Sequence, residues 1–285
     1  MTQTTIQTNS PPSSTMLYSQ YASAFAGLFM RDLYVLRREI RPFIVRVAMN
    51  PLLFLFVFTY VIPHISGGAS MNPTAAMAGN GFSTVLLPGL MAVAIMFSGI
   101  AAVALPLAVE FGTTREIDDR VMCPLPVAAV AIEKICFSAV QSVIAAAVVY
   151  PLAYYVPVVH PAAHVDSWLF LAVVVILASL TAGALGLTIG TSVKPQQIGL
   201  IFGVVVIPIT FLGCVYYPWA GLKYIPWLKY AVLINPIVYM SEGLRASVTP
   251  SLPHMAPWLI LTMLVVALTL LTTIGVRGFL RRVIG

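Results

Sequence analysis

Charged side chains vanish from this chain over long intervals. No Asp, Glu, Lys or Arg occurs from Val47 to Val109, and further charge-free runs cover Ile135–Val165, Ser167–Val193, Pro195–Leu222 and Ala246–Val276. A helix needs about 20 apolar residues to cross a hydrocarbon core of about 30 Å, and every one of these runs is long enough. The first run holds two crossings, because Pro63-His64-Ile65-Ser66-Gly67-Gly68, Asn72-Pro73 and Gly79-Asn80-Gly81 break it with turn-forming residues. The pattern predicts six spans, at about 43–62, 84–108, 135–156, 168–190, 196–216 and 256–276. Helical spans satisfy their backbone polar groups internally, and the alternating ten-residue segments of a barrel are absent from the sequence. The fold class is an all-α integral membrane protein.

Amphipathic stretches flank these runs. Phe25, Leu28, Phe29, Leu33, Leu36 and Ile40 fall on one helical stripe, with Arg31, Arg37 and Arg38 elsewhere. An apolar face with a basic flank suits a helix over 25–41 lying in the membrane interface. This is favoured over an extension of the first span because Pro42 restricts Arg41 and argues for a break there. Residues 1–24, rich in Thr, Ser, Gln and Pro at their start, are expected to form a disordered tail.

The stretch from Tyr217 to His254 differs from both. It carries Trp219, Leu222, Tyr224, Ile225, Trp227, Leu228, Tyr230, Leu233, Ile237 and Tyr239 between prolines. Its pieces are too short to span and too apolar to be solvated, so they belong at headgroup depth or dip back into the membrane. Asn235 and Pro236 are a cap and a first helical residue, after which Tyr239, Glu242 and Arg245 recur three apart. Glu242 and Arg245 are expected to pair, since either alone is costly in an apolar setting.

The densest charge lies in one short segment, Glu110-Phe-Gly-Thr-Thr-Arg-Glu-Ile-Asp-Asp-Arg-Val-Met-Cys-Pro-Leu-Pro126. Thr113 or Thr114 suits the cap of a short helix, Glu116 and Arg120 form an acid-first i,i+4 pair, and Pro124 and Pro126 end it. By composition this is equally a solvated turn and a docking surface for a partner.

Charge then orients the chain. With six spans, one side carries Arg31, Arg37, Arg38, Arg41, Arg46, Arg115, Arg120, Lys134, Lys194, Arg277, Arg281 and Arg282. The other carries Lys223, Lys229 and Arg245. Such a bias places both termini in the cytoplasm. The net charge of +6 follows from topology and attraction to anionic lipid, and needs no nucleic-acid partner. Cys123, Cys136 and Cys214 suggest no disulfide framework, and the four histidines form no ligand pattern, so no metal site is expected. Glu133 and Lys134 adjoin the third span and are expected to anchor it at the cytoplasmic face.

Two stretches resemble a known family, the permease subunits of type-2 ABC exporters, which export drugs, nodulation factors and polysaccharides. Glu110–Pro126 is similar to that family's coupling segment: an acidic end to span 2, a Gly-Thr step and a charged helix running to a proline. Pro208-x-Thr-Phe-Leu-Gly213, Tyr217-Pro218, Ile225-Pro-Trp-Leu228 and Asn235-Pro236-x-x-Tyr239-x-x-Glu242-Gly-Leu-Arg245 resemble its fifth span and outer re-entrant pair. Cys214 departs from the pattern, where Gly or a small polar residue is common. The resemblance covers residues from Phe25 to Arg282.

It implies a transport subunit in the bacterial cytoplasmic membrane with no catalytic residue of its own. The sequence holds no G-x-x-x-x-G-K-[ST] phosphate loop, so ATP and Mg would bind a separate ATPase subunit. A second permease copy, or a related permease, would complete the path. Glu110, Gly112, Thr113, Arg115, Glu116, Arg120 and Pro124 would couple to the ATPase, together with the interfacial helix bearing Arg31, Arg37 and Arg38. Asn235, Pro236, Tyr239, Glu242 and Arg245 would form an outer gate. Gly183-Ala-Leu-Gly186 marks close helix packing.

A charge-free path suits an amphiphilic or hydrophobic cargo. A lipid-linked glycan is the alternative, with Tyr150, Tyr154 and Tyr155 able to stack on sugars, although they fit an aromatic belt better. A membrane-embedded lipid or glycan transferase would need convergent acids or histidines in a cavity, and an ion-coupled transporter a midplane ionisable residue. The charge-free spans favour neither.

Overall fold

The computed structural model describes residues 14–61, 81–114, 125–157 and 161–284, the side chains of 14–19, 50, 59, 81, 82, 113, 114 and 284 excepted. Among these residues the chain is helical and without strands. The helices are α1 (Ser14–Arg38), α2 (Ile40–Leu55), α3 (Gly81–Val109), α4 (Val127–Tyr155), α5 (Trp168–Ser192), the composite α6 (Pro195–Phe211), α7 (Pro226–Ala231), α8 (Pro236–Val248) and α9 (Pro257–Ile284). Wider π-helical turns extend α2 over Phe56–Val61 and α3 over Glu110–Thr114, and another interrupts α6 at Phe202–Val206.

Among the described residues, five helices are long and apolar enough to cross a membrane: Ile40–Phe58, Ser83–Gly112, Val127–Tyr155, Trp168–Ser192 and Pro257–Val283. The segment expected as a span at 196–216 is shorter. It ends at Phe211, and its 17 residues reach only about 25 Å at 1.5 Å per residue. Gly213 and Cys214 then turn the chain, Cys214 adopting the left-handed φ of 53°.

α3 is the central post. Val85 to Met96 are all buried, and α3 packs against α4, α5 and α8. Small residues bring the backbones together: a Cβ on Gly186 of α5 would lie 2.9 Å from the Cα of Ile100, and one on Gly183 would strike the Ser138 hydroxyl. The expectation of close packing at Gly183 and Gly186 is met. α9 closes on the other side of α5, with Thr188 Oγ donating to the carbonyls of Ala184 and Leu271. Apolar clusters fill both ends of the bundle, one around Leu86, Leu90, Val174 and Leu244, the other around Leu107, Val130, Leu187 and Phe279.

Several sequence boundaries shift. α1 begins at Ser14, so residues 14–24 are helical and not part of a disordered tail; residues 1–13 lie outside the described residues. Phe25, Leu28 and Leu36 of the apolar stripe turn toward the bundle, and Phe29 meets Phe137 edge-on. The break between α1 and α2 falls at Glu39, three residues before Pro42. Pro42 sits in the first turn of α2, where a missing N–H costs least. α4 begins at Val127, eight residues before the expected start at 135, and takes Glu133 and Lys134 into its buried face. They were expected as an anchor at the membrane surface, but Lys134 is neutralised inside the protein and the helix does not have to stop for it. α9 runs to Ile284, carrying Arg277, Arg281 and Arg282 on helix.

Candidate functional site

Polar chemistry collects at two ends of the bundle. At the first, α3 passes into its π-helical turn and delivers Glu110 to Lys134 of α4, whose Nζ donates to Glu110 Oε1 at 2.8 Å. Glu110 is 4% and Lys134 5% exposed. The next residue, Phe111, packs on Phe279, and the Arg282 guanidinium lies over its ring at 4.8 Å. Arg282 Nη1 also donates to the carbonyls of Gly190 at 3.0 Å and Val193 at 2.8 Å, capping the end of α5. This matches the preference for cations at helix C-termini. Gly112 approaches Pro195, where an added Cβ would lie 3.0 Å from the ring. Three residues of one turn thus touch α4, α9 and the start of α6.

Of the residues expected to couple, Glu110 and Gly112 take part in this node. Arg115, Glu116, Arg120 and Pro124 lie outside the described residues, as does the side chain of Thr113. Arg31 is exposed and pairs with Asp32 at 3.2 Å, while Arg37 and Arg38 are exposed at the end of α1. Lys134 and Arg282 were missed as members of the node. A lysine bordering a charge-free run, with a carboxylate bordering the preceding one, was the available signal for Lys134. The place of Arg282 depends on how α9 lies on α5, which no local pattern gives.

The second end is built on α8. Asn235 caps it, its Oδ1 accepting from Ile237 N at 3.1 Å and its Nδ2 donating to Ile209 O at 2.7 Å. Pro236 takes the first helical position. Tyr239 Oη donates to Leu233 O at 2.8 Å, and Ser241 Oγ to Gly213 O at 2.7 Å. Glu242 and Arg245 pair through Nη1 and Oε1, and both are 0% exposed. Glu242 Oε1 also accepts from Trp219 N, and Oε2 from Met255 N, each at 3.0 Å. Arg245 Nη2 donates to Cys214 O at 3.0 Å. Burial pulls the Arg245 guanidinium below its usual value while Glu242 holds it up, and an arginine stays charged against such a pull. Trp219 is fixed twice more, by Nε1 donating to Lys229 O at 3.1 Å and by Lys229 Nζ over its ring at 4.3 Å.

One ion pair therefore gathers the turn after α6, the segment before α7 and the segment just before α9. Cys214 explains itself here: its left-handed backbone aims its carbonyl at Arg245, and glycine adopts that conformation most readily. Among the described residues no group of three or more His, Cys, Asp and Glu is placed to hold a metal ion.

Among the described residues, five apolar helices, one of them the buried central post, with a charged node at one end and a short-helix assembly at the other, define a multi-pass membrane protein. The family model of the ABC-2 type transporter matches residues 23–249, and the chain belongs to that family. It is a transporter permease, a transport subunit and not an enzyme, and membership implies partnership with an ATPase subunit. The inner membrane transport permease YadH of Escherichia coli K12 is 24% identical over 222 residues, covering 73% of this chain and 78% of that protein. YadH proteins of Escherichia coli O157:H7 and Shigella flexneri align to the same extent.

Proposed function

We propose that this chain is the membrane subunit of an ATP-driven exporter of the bacterial inner membrane, moving amphiphilic or hydrophobic small molecules outward. ATP and Mg bind a separate ATPase, and two permease copies frame the path. Both termini and the Glu110 end face the cytoplasm, in line with the excess of Lys and Arg assigned to that side. α6 is the sixth crossing, completed in part by the turn that follows it. α7 and α8 form the outer re-entrant pair, and α1 lies in the inner interface.

The observation that carries this reading is the node at Glu110, Phe111 and Gly112. A push delivered to the segment 110–126 reaches α3 directly, α4 through Lys134, α5 and α9 through Arg282, and α6 through Pro195. An ATPase docked there favours one packing of the spans over another by its differential contacts with the two. A lipid-linked glycan is the alternative cargo: Tyr150 and Tyr154 stack at 6.4 Å and Tyr155 meets Tyr154 edge-on at 5.1 Å, at the opposite end.

The test is coexpression with a candidate ABC ATPase subunit, purification, and transport in proteoliposomes. Charge reversals at Glu110, Arg115 and Glu116 are expected to reduce ATPase recovery or transport per ATP while leaving membrane insertion unchanged. Full recovery and full transport in all three would leave the segment a solvated turn.

A further inference from the structure

The elbow between α1 and α2 does not close on the bundle. It leaves a cavity of about 1050 Å³ walled by α1, α2, α3 and α4, at the upper end of the range of about 300–1,000 Å³ found for ligand sites. Six charged side chains line it: Arg31, Asp32, Glu39, Arg46, Glu110 and Lys134. Four of them are paired with one another, Arg31 with Asp32 and Lys134 with Glu110. Glu39 and Arg46 are left over, both exposed, with no ion pair among the described residues. Seven residues apart, they share a face of the elbow about two turns long. The mouth therefore offers one anion and one cation outside any ion pair described, the Arg46 guanidinium lying 5.8 Å over the Phe43 ring.

Behind the mouth the walls change character. Ala101, Leu105, Pro106, Val109 and Phe137 are apolar. A second, narrow cavity of about 120 Å³ continues between α2 and α3, sharing Arg46 and Ala101 with the first and lined by Val47, Pro51, Val93, Ala94, Phe97 and Ser98. It follows α3 from Ala101 to Val93, about 12 Å of helix at 1.5 Å per residue. Ser98 is 7% exposed, and its hydroxyl has no hydrogen-bond partner among the described residues. A buried hydroxyl without a partner is costly, and this one lines the passage.

We propose that this groove binds a phospholipid whose head group carries both a phosphate and an amine. The phosphate sits against Arg46, the amine against Glu39, and an acyl chain enters past Ala101 toward Pro51 and Val93, bringing an ester oxygen within reach of the Ser98 hydroxyl. A simple anion would leave Glu39 unanswered, and a simple cation Arg46. A free polar solute would leave the apolar passage empty. The surrounding bilayer supplies the ligand. The inference rests on membrane location and not on the direction of transport or the nature of the cargo.

Native mass spectrometry of the detergent-solubilised full-length chain, titrated with phosphatidylethanolamine, tests it. One lipid per chain is expected to bind at least tenfold more tightly than phosphatidylglycerol, which lacks the amine. Arg46→Ala, and Ala101→Trp, which fills the passage, should each weaken that lipid at least tenfold. Arg46→Lys should stay within threefold, and Glu39→Gln should remove the preference over phosphatidylglycerol. Equal binding of the two lipids by the unaltered chain overturns the proposal. So does unchanged binding in Ala101→Trp or Arg46→Ala, or inorganic phosphate competing as well as lipid. The readout uses neither ATP nor cargo, so its failure is separate from failure of the exporter reading.

Discussion

Two buried ion pairs among the described residues are built in opposite ways. Glu242 and Arg245 are three residues apart on one short helix, wholly buried, with both carboxylate oxygens accepting from backbone N–H groups of other segments. Glu110 and Lys134 are 24 residues apart on two different helices and line the wall of an open cavity. The first is a staple: each added hydrogen bond ties a loop to it, and it has nowhere to go. The second is a junction between helices, next to space in which they can shift. Burial alone would class the two together. What surrounds them separates a lock from a joint.

The sharpest way to break that contrast is to cut each pair. Removing one partner of a fully buried pair costs about 3–5 kcal/mol, whereas an exposed pair is worth about 0–1 kcal/mol. Glu242→Ala and Arg245→Ala are each expected near the upper range, read as loss of folded protein and a lowered unfolding temperature after purification. The double variant should lose less than the sum. It should still fall short of the unaltered chain, because Trp219 N and Met255 N lose their acceptor. Two silent single variants would mean that this end is open to water.

Lys134→Met should cost less, about 1–3 kcal/mol, since a carboxylate at the cavity wall can recruit water. Its effect on transport should exceed its effect on stability. If it destabilises as much as Glu242→Ala, the junction is a second lock and the comparison fails.

Two glycines extend the contrast to backbone packing. A Cβ on Gly89 would run into the carbonyl of Val215, part of the turn that holds Arg245. Gly89→Ala should therefore cost about 1–3 kcal/mol or more, as overpacking does where backbone must move. At Gly112 the nearest atom is a Pro195 ring carbon at 3.0 Å, and Gly112→Ala should be mild, within about 1 kcal/mol by the same argument. Thermal unfolding of the two variants side by side decides it, and equal losses would put both ends under equal constraint.

The smallest change is expected at Cys214→Gly. Left-handed backbone costs a non-glycine residue roughly 1–2 kcal/mol, and losing a small buried side chain costs a comparable amount, so the net shift should be within about 1 kcal/mol. A loss well beyond that would assign the thiol a role that packing does not explain.

What the sequence made legible follows the same division. The Asn235 cap, Pro236 at the first helical position and the Glu242–Arg245 pair are local, spaced within one helix, and all three stand in the structure. The apolar runs located five long helices because length and charge exclusion are one-dimensional signals. The end of α6 was misplaced, since apolar character continues through Leu212 to Tyr216 while the backbone has already turned at Gly213 and Cys214. The start of α4 was misplaced for the converse reason: Glu133 and Lys134 read as surface residues until a partner 24 positions away brings Lys134 inside. Pairings between distant segments, such as Arg282 with the end of α5, depend on helix packing and leave no periodic trace.

The confinement of the staple to one stretch of chain matters for how the protein is made. Gly213, Cys214, Trp219, Ser241, Glu242, Arg245 and Met255 supply the bonds around the pair, and all of them emerge from the ribosome before α9. The charged pair can be neutralised while α9 is still being synthesised, so neither charge has to wait in the bilayer for a distant partner. Glu110 likewise meets Lys134 within a few seconds of translation, at about 5–20 residues per second. Arg282 follows both pairs along the chain, and its three carbonyl bonds fasten α9 to the end of α5 only once α9 has been made. A chain truncated just before Arg282 would therefore keep both of these ion pairs and lose the clasp between α9 and the end of α5.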